Sequence, residues 1–147
     1  MTRIAVISDT HDWMPPDLPA RLAGADEIWH LGDVCEPEVL AELKALGKPL
    51  VVVLGNNEAH SLWPEEIWLE RAGRKFYLIH IPPFTAPAGA EVVLHGHTHV
   101  PRDETDRRGV RWLNPGAIKG PKKDSLAGFG WLVLEPDQPL DWRREAL

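Results

Sequence analysis

The short apolar run Val92-Val93-Leu94 ends in His95-Gly96-His97-Thr98-His99, which places histidines at every second position. If the chain stays extended there, alternation puts His97 and His99 on one side, and Gly96 lets the backbone bend close to whatever they hold. Two neutral imidazoles aimed at one point suit a transition metal. A lone His-x-His reads better as a polar turn, but four other apolar runs stop at residues of the same chemical kind. Ile4 to Ile7 is followed by Asp9 and His11, Ile28 to Leu31 by Gly32-Asp33, Leu50 to Leu54 by Gly55-Asn56-Asn57-Glu58, and Phe76 to Ile79 by His80. In open α/β sheets, ligands sit in the crevice beyond the carboxyl ends of the strands, so side chains far apart in sequence can converge there.

Asp9, His11, Asp33, Asn56, His80, His97 and His99 form a set of seven oxygen and nitrogen donors. That is too many for one four-coordinate ion and suits two divalent metal ions. With two ions about 3.5–4 Å apart one carboxylate must bridge, and Asp33, alone after its strand, is the choice. Asp9, His11 and His99 then complete one ion, while Asn56, His80 and His97 complete the other. The neutral Asn56 carbonyl keeps the net positive charge of the pair high, which lowers the pKa of a bridging water and supplies hydroxide at neutral pH.

These donors need strands to deliver them. Ile4 to Ile7 reads as a buried central strand, and the prolines of Trp13 to Pro19 give an irregular rim leading into a short helix around Ala20 to Ala23. Pro37 opens a helix whose stripe is Val39, Leu40, Leu43 and Leu46, with Gly47 as its stop. The β-branched run Leu50 to Leu54 completes a βαβ unit as a parallel, doubly covered strand. Ile67 to Leu69 and Lys75 to Ile79 suggest a hairpin around Ala72-Gly73, and Val92 to Leu94, Val110 to Leu113, Phe129 to Leu134 and Leu140 to Arg143 suggest short strands. The expected fold class is α/β: two packed sheets flanked by helices, with crossovers in the first half of the chain and hairpins in the second.

Composition fits that expectation. A chain of 147 residues with 44% hydrophobic side chains can bury a core as one domain, 1–147. A formal charge of −6 argues against a broad basic footprint for nucleic acid, although two bound divalent cations would add about +4 in one cleft. The single cysteine, Cys35, excludes an intrachain disulfide and a thiolate zinc site. No apolar stretch approaches a membrane span or a signal peptide, so a cytoplasmic location is expected. Seven tryptophans raise the prospect of a homo-oligomer.

The ordered blocks Asp9-x-His11, Gly32-Asp33, Gly55-Asn56, His80 and Gly96-His97-Thr98-His99, with the later turn Asn114-Pro115-Gly116, resemble those of the calcineurin-like metallophosphoesterases, in particular the short bacterial and archaeal phosphodiesterases. The resemblance runs nearly the whole length. It implies a four-layer α/β/β/α sandwich of two mixed sheets flanked by helices, with a binuclear centre of manganese, iron, nickel or zinc. It also implies hydrolysis of a small phosphoester, a phosphodiester above all, by in-line attack on phosphorus, with Asp33, Asn56, Asn57 and His97 at the reacting centre.

Three positions depart from the family pattern. Asn57 stands where many relatives have a histidine that protonates the leaving group, although Glu58, which would orient that histidine, is present. Ile81-Pro82-Pro83 replaces a glycine after His80, and Ala117 stands where serine is frequent. Proton donation is typically worth about 10²–10⁴-fold, so alkyl esters should turn over slowly unless His60 or His95 is the donor. The competing reading is a non-catalytic scaffold or adaptor of the same fold, disfavoured by the intact donor set. Among the other residues, His30 reads as a hydrogen-bonded core histidine, Cys35 as a small hydrophobe, and Lys119, Lys122 and Lys123 as a solvated loop at the rim.

Overall fold

The computed structural model describes residues 1–119 and 127–147. In chain order its elements are β1 (Thr2–Ile7), α1 (Leu18–Leu22), β2 (Glu27–His30), a 3₁₀ turn (Pro37–Leu40), α2 (Ala41–Lys44), β3 (Leu50–Val52), β4 (Glu66–Arg71), β5 (Arg74–Ile79), β6 (Val92–Leu94), β7 (Arg102–Thr105), β8 (Arg111–Asn114), β9 (Gly128–Leu134) and β10 (Asp141–Ala146). They form two mixed five-stranded sheets, ordered β10-β9-β1-β2-β3 and β4-β5-β6-β8-β7. Strands β1, β2 and β3 run parallel in the first sheet, as do β5, β6 and β8 in the second.

The continuous apolar run of β1 follows from burial on both faces. Ile4 and Val6 enter the core between the sheets with Trp29, Phe76, Leu78, Leu94 and Leu113. Ala5 and Ile7 face the other way, onto Leu18, Leu22, Leu40 and Leu43 of the helical segments. The outer face of the second sheet is covered by irregular chain, with Ala86 and Ala90 packed on Tyr77, Val93, Val110 and Trp112.

Several expectations need correction. The stripe from Val39 to Leu46 is not one regular helix but a 3₁₀ turn running into a single short α-turn, with Gly47 at φ +72 as the stop. Both windings bring i and i+3 together, so the apolar spacing serves either. Strand β3 stops at Val52, short of the expected Leu54, whose N–H turns away to the Pro64 carbonyl at 2.7 Å; although at a sheet edge, it is parallel and covered on both faces as expected, with Leu50 and Val52 on the helical side and Val51 and Val53 between the sheets. The second half is not all hairpins, since β6 pairs in parallel with both β5 and β8. The hairpin of β4 and β5 forms as expected, with Ala72 and Gly73 at φ +52 and +76, as a type I′ turn requires. Lys122 and Lys123 lie outside the described residues.

Candidate metal centre

The carboxyl ends of six parallel strands meet at one edge of the sandwich, and the loops leaving them carry the candidate donors. The loops after β1 and β2 are zipped together by backbone bonds from Asp9 N to Gly32 O (3.0 Å), His11 N to Asp33 O (3.0 Å) and Asp12 N to Val34 O (3.0 Å). Asp9, His11, Asp33, His97 and His99 all adopt left-handed backbone, with φ between +44 and +71. Non-glycine residues enter that region at a cost, and such strain collects at functional sites.

Two donor groups result. Asp9, His11 and His99 form one, and Asp33, His80 and His97 the other, each with its ligand atoms within 4.8 Å of one another, a spacing that could hold a metal ion. Asp9 Oδ1 lies 3.1 Å from His99 Nε2 and 3.6 Å from His11 Nε2. Asp33 Oδ2 stands between the groups, 3.2 Å from His80 Nε2 and 3.6 Å from His11 Nε2. Asn56 joins the second group, its Oδ1 3.1 Å from His97 Nδ1, a separation that suits a hydrogen bond or two ligands of one ion. All seven candidate donors are therefore brought to one place.

The chemistry of the site favours a cation. Asp9 and Asp33 are buried, and burial pushes both carboxyls up, yet the surrounding imidazoles, with the Asn57 amide at Asp33, more than offset this and hold both below their ordinary values. His11 is raised chiefly by Asp9, and His80 is raised because Asp33 and Asp9 outweigh its burial. His80 Nδ1 donates to the Leu31 carbonyl at 2.8 Å, which leaves Nε2 facing the carboxylates. That Nε2 and Asp9 Oδ1 are buried with no aligned hydrogen-bond partner among the described residues. Unpaired buried polar atoms cost about 1–3 kcal/mol each, a cost that divalent ions bound in the two groups would remove.

Close approach is built in at two glycines. A Cβ on Gly55 would lie 2.2 Å from Asp33 N and Oδ1, and one on Gly96 would lie 2.0 Å from Ser8 Oγ and 2.7 Å from Asp9 Oδ2. Glu58 does not orient residue 57. Its carboxylate accepts from the backbone N–H groups of Asp33, Cys35 and Gly55 and so braces two donor loops. Asn57 donates its backbone N–H to Asp33 Oδ1 (2.9 Å) and its amide to Asp33 Oδ2 (2.8 Å).

Other residues find quieter places. His30 is a buried core histidine, held by Thr10 and the Gly32 N–H and pushed down to about 3 by burial. His60 donates to the Cys35 carbonyl (3.1 Å), and His95 is buried against Arg102, so neither ring faces the donor groups. Burial pushes the Cys35 thiol up to about 11, which leaves it unreactive at neutral pH. Trp13 lines an open cleft of about 630 Å³ beside His11 together with Ile118 and Lys119. Sequence reasoning missed Ser8, whose hydroxyl donates to Asp9 Oδ2 at 2.5 Å, and the bond from Asn114 Nδ2 to Thr98 Oγ1 at 3.0 Å.

Comparison with known proteins points one way. Residues 2–137 match the calcineurin-like phosphoesterase superfamily domain. A probable metallophosphoesterase of Methanocaldococcus jannaschii is 34% identical over 136 residues, which span 81% of this chain and 69% of that one. Among solved structures, an archaeal phosphodiesterase superposes with a TM-score of 0.81 at 22% identity, over 99% of this chain and 100% of the other. Vps29 of Entamoeba histolytica, solved with Zn²⁺, gives 0.78 at 19% identity over 99% of each chain. At such identities the two superpositions speak for the fold alone.

Proposed function

The chain belongs to the calcineurin-like phosphoesterase superfamily, and we propose that it is a metal-dependent phosphodiesterase whose single domain spans 1–147. In this reading Asp9, His11 and His99 would hold one divalent ion and Asn56, His80 and His97 a second, with Asp33, which stands between the groups, serving both. The observation that carries it is the position of Asp33 Oδ2, within 3.6 Å of His11 Nε2 and 3.2 Å of His80 Nε2, one from each group. Mixed imidazole and oxygen donors suit several first-row ions, manganese among them. When bound, such a pair supplies Lewis acidity to the phosphoryl oxygens and a nucleophilic water for in-line attack.

The protein's own part is to hold that geometry. Asn57 and Glu58 fix the Asp33 loop, Leu31 fixes the His80 tautomer, and Ser8 with the His97 N–H fixes the free edge of Asp9. Asn57 has no titratable proton to offer a leaving group, so the reading favours esters whose leaving groups depart unaided.

Asn57, which cannot serve as the acid, is the observation behind the scaffold reading. The test is elemental analysis of the purified protein combined with hydrolysis of a chromogenic phosphodiester before and after chelation. About two ions per chain, loss of activity on chelation and its return with Mn²⁺ support the enzyme. A chain that binds no metal and turns over no ester overturns it.

A further inference from the structure

Arg102 and His95 lie outside the donor set, and we propose that they are a positioning pair for it: Arg102 fixes the tautomer of His95, and that tautomer ties down the peptide that presents His97. The inference rests on the reading of His80, His97 and His99 as metal ligands.

Arg102 Nη1 lies 3.1 Å from His95 Nε2. A guanidinium has only donors, so Nε2 must accept, and the ring proton sits on Nδ1. His95 Nδ1 is 2.9 Å from the Gly96 carbonyl, which can only accept, so both ends of the ring require the same tautomer. Arg102 is itself held in place, its guanidinium 4.6 Å above the Trp112 ring and its Nη2 3.4 Å from Glu104 Oε2.

The Gly96 carbonyl belongs to the same peptide plane as the His97 N–H, which reaches Asp9 Oδ2 at 3.3 Å. Rotating that plane is rotating φ of His97, and this angle stands at a strained +71. The carbonyl accepts from His95 Nδ1, from Thr98 N at 2.9 Å and from Asn114 Nδ2 at 3.3 Å, while Gly96 N donates to the His80 carbonyl at 3.0 Å. A line of bonds thus runs from Arg102 through His95 and the 96–97 peptide to Asp9, with His80 tied in beside it. Deleting its first link frees the ring to change tautomer, and the peptide loses a donor that opposes relaxation of the left-handed turn.

Two measurements test this. In ¹⁵N spectra of the metal-free chain at neutral pH, His95 should carry its proton on Nδ1 with Nε2 bare. Arg102→Lys, which still donates to Nε2, should keep that pattern, and Arg102→Met, which leaves the Gly96 carbonyl alone to hold the Nδ1 proton, should populate the Nε2–H tautomer beside it. Zinc affinity, read by competition with a chelator, should fall about 10- to 100-fold in Arg102→Met and His95→Leu, the range found when outer partners of metal ligands are removed. Arg102→Lys and His95→Asn, whose amide replaces the Nδ1 donor, should recover most of it. A wild-type ring protonated on Nε2 or on both nitrogens overturns the proposal, as does Arg102→Met binding zinc as tightly as a wild type that does bind it. A wild-type chain that takes up no zinc would sink the metal reading itself, whereas the tautomer judges the Arg102–His95 lock separately. Should Arg102→Met fail to fold, the wild-type tautomer still decides.

Discussion

Asn57 shows how one side chain can leave one role and serve another. Its amide cannot protonate a leaving group, but it holds Asp33 Oδ2 at 2.8 Å, and the neighbouring backbone N–H holds Oδ1 at 2.9 Å. Hydrolysis rates across aryl and alkyl phosphodiesters should therefore fall steeply as the leaving-group pKa rises, because no acid relieves the developing charge. Asn57→Ala should leave that steepness unchanged while weakening metal retention, since only the grip on Asp33 is lost. A flat dependence in the wild type, with chemistry shown to be the slow step, would mean that a proton donor acts after all. The donors themselves were legible in the sequence because metal chemistry restricts them to a few residue types at strand ends. The part Glu58 plays, and Ser8 and Arg102 altogether, were not, because what they touch is backbone or a side chain brought near only by folding.

The elements were legible where two-sided burial writes a continuous apolar run, as in β1 and β6, and illegible where pairing alone makes the strand. Strand β7, Arg102-Asp103-Glu104-Thr105, has no apolar residue and exists because it pairs with β8, its Asp103 taking a two-pronged bond from Arg111 at 2.8 and 2.9 Å. The same holds for contacts between sheets. Glu27 of β2 accepts from Arg71 of β4 at 2.7 and 2.9 Å and from the Trp29 indole at 3.4 Å, a clamp across the sandwich that neither local sequence announces. Arg71→Met strands a mostly buried carboxylate and should cost on the order of 1–3 kcal/mol in urea unfolding. Replacing Glu27 and Arg71 together by leucine should cost less than Arg71→Met alone, because no charge is left unpaired. Equal costs would mean that the clamp contributes through packing rather than charge.

At the scale of the whole molecule, acid sensitivity separates by window. His30 and His95 are both buried, which lowers their folded values to about 3 and about 4 from an ordinary 6.5. As pH falls through about 6.5 the unfolded chain takes a proton on each ring and the folded chain does not, so stability must fall with pH. Asp9, Asp33 and Glu27 are held low in the fold, and their contribution is lost only below about pH 4, where the unfolded carboxyls protonate. His11 and His80 are raised, so what they contribute is complete below 6.5 and fades only as pH rises above it. The interval from about pH 6.5 to about 4.5 therefore belongs to the two buried rings, each worth on the order of 2 kcal/mol by pH 5. Urea unfolding of the metal-stripped chain should show this decline, and His30→Gln should remove about half of its slope, because one of the two titrating rings is gone. Stability that stays level across that interval would mean that both rings are already charged in the folded protein, and half the slope that one of them is.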